Sequence, residues 1–266
     1  MHRLLVRGAL AATLLAVFAC DQDPVDWQEP RDLPANLSSG DGLSFDARGH
    51  LMPRRAADFA LPPSPGQCAS SVRIARDTVG AWYASWWSLR PDSTAELVVA
   101  HSSDGRRWDP PVRVDTLDAG ATACRRPPPS LFVDGDDVHV AYAMAAREGA
   151  GIFASHSMDR GTMFHTPVPI VYGNAPGLAA IAARGNTVVV AYEDPNTNPR
   201  RIGVAISRTQ GHTFDTRELV SPPTGAAADP GVAVAAGMVA VTWVRVPADA
   251  DRAANAPRIL REGRIR

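Results

Sequence analysis

The chain has 266 residues, 45% of them hydrophobic and 21% charged, with a formal net charge of −1. That balance is ordinary for a folded globular protein and leaves neither a basic field for nucleic acid nor an acidic tail. The 21 Gly, 23 Pro and six Trp favour many turns and short strands over long helices.

In chain order, the first predicted element is a targeting segment. Arg3 and Arg7 precede Gly8 and an apolar run from Ala9 to Ala19, interrupted only by Thr13. A run of about eleven residues is too short to cross a hydrocarbon core of ~30 Å, so residues 1–19 read as a signal peptide. The run ends Val17-Phe18-Ala19-Cys20. This resembles the lipobox of bacterial lipoproteins, in which the Cys becomes a lipid-bearing N-terminus. The resemblance implies export, and a membrane partner in the bacterial cell envelope reached through lipid on Cys20. Phe18 is bulkier than usual there, so ordinary signal-peptide cleavage is the alternative. Loss of residues 1–19 removes two Arg and leaves −1 − 2 = −3. Residues 20–36 are acidic and contain Pro24, Pro30 and Pro34, which predicts an extended tether. The folded domain is then expected over residues 37–266.

Next come three similar units. The first has predicted strands at Ser71–Arg76, Val79–Trp87, Glu96–His101 and Trp108–Asp115. The second has Ser130–Asp134, Asp137–Met144, Gly151–Ser157 and Phe164–Val171, and the third Leu178–Ala183, Thr187–Tyr192, Ile202–Ser207 and Phe214–Val220. These runs alternate or stay apolar, with Val, Ile, Tyr and Phe, as short strands do. A fourth unit, Val232–Ala236, Val239–Arg245 and Arg258–Ile265, lacks its last strand. Phe45–Pro53 is the expected donor of that strand, which would join the two chain ends and cover a bare sheet edge. The expected fold is all-β: a small β-propeller of about four four-stranded blades, its ring closed by N- and C-terminal strands.

A motif sits between the third and fourth strands of each complete unit. Residues 157–164 read Ser157-x-Asp159-x-Gly161-x-x-Phe164, the full Asp-box pattern. Residues 207–214 keep Ser207, Gly211 and Phe214 with Thr209 at the acidic position. Residues 102–108 give a version one residue shorter, with Ser102, Asp104, Gly105 and Trp108, and residues 39–45 a weaker copy ending at Phe45. Ser and Asp side chains bond backbone groups inside a tight turn, and Gly supplies backbone angles closed to other residues. The motif is therefore a structural corner rather than a catalytic group.

These boxes and their strands resemble the sialidase-like, BNR-repeat β-propellers over roughly residues 38–266. The resemblance implies a ligand face opposite the boxes and, for the enzymes, three arginines, a Tyr–Glu pair and an acidic Asp on six blades. It also implies an Arg-Ile-Pro motif. Val72-Arg73-Ile74-Ala75 is the nearest match, with Ala75 where Pro belongs, so Arg73 matches the first arginine alone and the catalytic set is unknown.

Three cysteines is an odd number for an exported chain. With Cys20 lipidated, Cys68 and Cys124 are left at like positions before the first strands of consecutive units. An oxidising compartment favours a disulfide between them, two free buried thiols being the alternative. Beside Cys124, Arg125 and Arg126 suit a carboxylate or phosphate, or lie in a solvated loop paired with Asp118 or Glu148. Tyr172 enters the third unit. Glu193 and Asp194 offer an acid/base pair or sugar-hydroxyl acceptors, or simply a turn at Asp194-Pro195-Asn196. Trp82 and Trp86 alternate with Tyr83 and Trp87, which favours packing between blades over sugar stacking. His101, His156 and His165 lack metal-ligand spacing and His139 lies in a strand, so no metal site and no cofactor are expected. Neither a phosphate-cradling Gly loop nor a G-x-S-x-G elbow is present. The expected functions are, first, a surface-anchored propeller binding a glycan or other extracellular ligand. Second is a sialidase-like glycoside hydrolase with a divergent site, and third a scaffold for another envelope protein.

Overall fold

The computed structural model describes residues 23–38, 42–54, 60, 62, 64, 66–115, 123–146, 149–247 and 256–266. The signal peptide, Cys20, Asp118 and Glu148 lie outside the described residues. Two short strands come first, β1 (Val25–Trp27) and β2 (Arg31–Asp32), then β3 (Gly42–Phe45) and β4 (Leu51–Arg54). The first unit is β5 (Arg73–Arg76), β6 (Trp82–Leu89), β7 (Ala95–Ser102) and β8 (Val112–Asp115). The second is β9 (Ser130–Asp134), β10 (Asp137–Ala146), β11 (Gly149–Ser157) and β12 (Val168–Tyr172). The third is β13 (Ala179–Arg184), β14 (Thr187–Asp194), β15 (Arg201–Ser207) and β16 (Thr216–Leu219). The last is β17 (Ala226–Ala235), β18 (Met238–Val246) and β19 (Arg258–Ile265). Each complete unit is one antiparallel four-stranded sheet in chain order, and these sheets are the blades of a small β-propeller.

The fourth sheet takes its outer strand from residues expected in the tether. β1 pairs β19 with Val25 opposite Ile265 and Trp27 opposite Gly263. β2 extends the same edge, with Arg31 opposite Leu260. Val25 is buried beneath this edge, so its apolar alternation with Asp26 fits a half-covered strand. Phe45–Pro53 does not supply the strand. Asp46 Oδ1 accepts the N–H groups of Arg48 and His50 at 2.8 Å, which breaks that run into a turn. The result is a separate β3–β4 hairpin, Phe45 opposite Leu51. Leu43 and Leu37 of this region pack on Ala233, Ala240 and Leu260 of the fourth sheet.

Packing follows strand alternation. Tyr83 and Trp87 join Val138, Val140 and Tyr142 between the first and second sheets. Trp86, on the opposite face of β6, packs with Val98 and Ala100. In β14, Val188 and Val190 face the second sheet, while Val189 and Ala191 face the fourth. Central strands covered on both faces explain the near-continuous apolar runs in the sequence. The Cys68–Cys124 disulfide forms, with Cα atoms 5.1 Å apart, and ties the segments that enter β5 and β9.

The Ser-x-x-x-Gly turns behave as the motif implies. Ser157 Oγ donates to Asp159 at 2.6 Å and accepts the Gly161 N–H at 2.9 Å. Asp159 accepts the Thr162 and Met163 N–H groups at 3.1 Å. Gly161 has φ +81°, the left-handed region that disfavours a Cβ. In the third sheet, Thr209 Oγ1 takes the place of the carboxylate and accepts the Thr213 N–H at 3.0 Å.

Candidate functional site

Antiparallel order puts the fourth-to-first and second-to-third strand connections at one end of every sheet and the serine turns at the other. At the first end a cavity of about 520 Å³ opens where β5, β9, β13 and β17 run side by side, next to β3. The ladder registers make Arg73, Ser130, Ala180 and Gly231 equivalent, opposite Ser85, Ala141, Ala191 and Thr242. Three of these inner positions are small and leave room; the first sheet places a guanidinium there.

Charge in the cavity is uneven. Arg54, Arg73 and Arg258 line it, against Asp229 among the described acidic residues. Asp229 sits where β17 shifts register between Ala228 and Gly231. Its φ of +53° is one that Asp tolerates better than most residues. Three contacts hold this bulge. The Asp229 N–H donates to Glu193 Oε1 at 3.0 Å. The Asp229 carbonyl accepts from Arg258 Nη1 at 3.0 Å, and its carboxylate pairs with Arg258 Nη2. Arg258 also donates to Thr242 Oγ1 at 3.1 Å.

Behind the bulge, buried Glu193 accepts from Arg200 at 3.0 Å. Gly177 makes this possible: a Cβ there would stand 2.0 Å from Glu193 Oε2 and 2.8 Å from Arg200 Nη1. Arg73 is engaged more lightly. Its guanidinium donates to its own loop, to the Val72 carbonyl at 2.8 Å and the Ser70 carbonyl at 3.4 Å. Desolvation by the walls lowers its pKa, and the Asp229 charge opposes that shift; an arginine keeps its charge throughout.

The other sequence candidates lie apart. Arg126 stacks over Trp87, 4.9 Å from the ring centroid, where burial lowers its pKa and the Asp115 charge opposes. Arg125 is exposed at the end of a single 3-10 turn. Tyr172 is half-exposed at the end of an outer strand, edge-on to Phe153. Asp194 forms a turn, its carboxylate accepting the Asn196 N–H at 2.9 Å. Arg73 lines the cavity with Asp229, which Glu193 holds from behind; Arg125, Arg126, Tyr172 and Asp194 do not line it. Asp229, Arg258 and Arg54 are the cavity residues that sequence motifs missed; Asp229-Pro230 at the entry to an inner strand was the one visible sign.

The structure also brings histidines together that the sequence leaves apart. His156, His165 and His212 converge, one ring nitrogen of each lying within 4.8 Å of the others. His156 is held down to about 4 by burial and then by its two neighbours, and is neutral at neutral pH. His139, buried beside it, is lowered to about 3, first by burial.

These features define a β-propeller with a cavity that, among the described residues, holds Arg54, Arg73, Arg258 and Asp229. No family model and no curated protein matches the chain in sequence. Among solved structures it is similar to a Dyadobacter fermentans protein of unknown function, at 15% identity and a TM-score of 0.52. That match covers 90% of this chain but 61% of the other protein. The chain is also similar to a GH93 α-L-arabinofuranosidase of Fusarium graminearum, at 12% identity and a TM-score of 0.49, covering 77% and 65% of the two chains. A Hadza microbial sialidase matches at 15% identity and a TM-score of 0.45, covering 66% and 42%. At such identities the likeness concerns the fold alone.

Proposed function

We propose that the chain is an exported, lipid-anchored propeller that binds a carboxylate-bearing glycan in its axial cavity. The observation that carries this reading is a guanidinium, Arg73, at an inner cavity position where the other three sheets place small residues. Asp229 is already paired with Arg258, so an anion entering the cavity meets Arg73, whose described bonds are to two backbone carbonyls. A guanidinium can grip a carboxylate through two parallel hydrogen bonds. The apolar wall of Ile74, Leu131, Ile181 and Val232 suits the carbon face of a sugar ring.

Glycoside hydrolysis is the second reading, because Asp229 and Glu193 bring two carboxylates to one place. Hydrolysis with retention needs them about 5–5.5 Å apart and both facing substrate. Here Glu193 is buried and occupied by Arg200 and the Asp229 N–H, which favours binding over turnover.

Titration calorimetry with a sialylated and a matching neutral oligosaccharide tests the binding reading. Binding should require the carboxylate and weaken at least about tenfold in Arg73→Ala, the equivalent of ~1.4 kcal/mol. Equal binding of the neutral sugar defeats it, and cleavage of a fluorogenic sialoside, lost in Asp229→Asn, supports the second reading. For the anchor, Cys20→Ala should move the protein from the membrane to the soluble fraction.

A further inference from the structure

We propose that His156, His165 and His212 form a zinc site at the seam between the second and third sheets, with its fourth position open to solvent. The site is separate from the axial cavity and lies at the serine-turn end of the sheets.

Each ring is placed by backbone structure. His156 is next to last in β11, opposite His139 of β10. The His165 N–H donates to the His156 carbonyl at 2.9 Å, which lays the two rings side by side, 4.5 Å apart and 10° from parallel. His212 arrives from the third sheet. Ser207 holds the Gly211 N–H at 2.9 Å, and that turn sets the His212 ring 4.4 Å from His156 and 5.1 Å from His165.

The donors are in a state to ligate. His212 Nδ1 lies 2.7 Å from the Thr209 carbonyl. A carbonyl only accepts, so Nδ1 carries a proton, which leaves Nε2 as the nitrogen that can face a metal. Fixing a histidine's tautomer through a backbone carbonyl is the usual support for a metal-bound imidazole. His156 offers Nε2, buried and without a hydrogen-bond partner among the described residues. His165 and His212 are exposed, so an ion can enter and a water can take the fourth place.

The geometry is within reach of a tetrahedral ion. Zinc at about 2.0–2.1 Å from three imidazole nitrogens sets them roughly 3.4 Å apart. One nitrogen from each ring lies within 4.8 Å of the others, and turning the exposed His165 ring out of its stack on His156 is the movement needed to close that gap while His212 keeps its bond to Thr209. Three imidazoles with no carboxylate in the set favour zinc and its late transition-metal neighbours over calcium or magnesium.

The test uses untagged, chelator-treated protein. Titration calorimetry should show one Zn2+ per chain, and Co2+ should give the intense visible band of a tetrahedral site. Because His165 and His212 are exposed, His165→Ala and His212→Ala should keep the wild-type circular dichroism spectrum while each weakens Zn2+ binding at least about tenfold. The absence of stoichiometric binding to wild type, or undiminished affinity in the double variant, overturns the proposal.

Discussion

At one end of the first three sheets, the same device recurs. Ser102, Ser157 and Ser207 each accept the N–H of a following glycine at 2.9 Å. At the other end the equivalent inner positions diverge into Arg73, Ser130, Ala180 and Gly231. The repeated end solves a problem that every blade has, which is to satisfy the backbone of a tight turn. The divergent end has no such shared problem, and its charge and space differ from blade to blade. Repetition in this chain marks the turns that hold each sheet; departure from it marks the cavity proposed to take the glycan.

That contrast can be broken most severely through the core. Trp87 is fully buried, donates to the Pro127 carbonyl at 3.0 Å and packs on Tyr142. Trp87→Ala should cost about 3–5 kcal/mol in urea denaturation, as large-to-small core changes do. Next is the support of the bulge. Glu193→Ala strands Arg200 and the Asp229 N–H, and should cost roughly 2 kcal/mol after allowance for Arg200 being partly exposed. Gly177→Ala should reproduce much of that loss by displacing the Glu193 carboxylate.

At the repeated end, Ser157→Ala leaves the buried Gly161 N–H without its acceptor and should cost about 1–2 kcal/mol. Arg73→Ala should change stability by no more than about 0.5 kcal/mol, while abolishing most ligand binding; equal effects on both would erase the distinction between the two ends. The smallest effect separates two versions of the turn. Asp159 is lowered from 3.8 to about 2, chiefly by the Ser157 hydroxyl and then by Thr162. A lowered carboxylate contributes stability that is fully present above 3.8 and lost as pH falls through about 2. Asp159→Thr, which copies the third sheet's turn, should therefore flatten acid denaturation across that window.

What the sequence determined was whatever repeats locally. Period-2 runs marked the strands, and the inner strand Ser130–Asp134 and the terminal strand Arg258–Ile265 fall where alternation puts them. Serine and glycine at fixed offsets marked the turns, and the like positions of Cys68 and Cys124 implied their bridge. Tertiary structure alone decided the rest. Val25–Trp27 completes the fourth sheet because an open edge at β19 accepts it, and the hairpin turn at Asp46 makes the rival segment fold on itself. Asp229 of the fourth sheet meets Glu193 of the third and shares its cavity with Arg73 of the first, and His212 meets His156 across a blade seam. Such meetings depend on how sheets stack, and stacking is set by apolar faces that carry no record of which polar side chains they bring together.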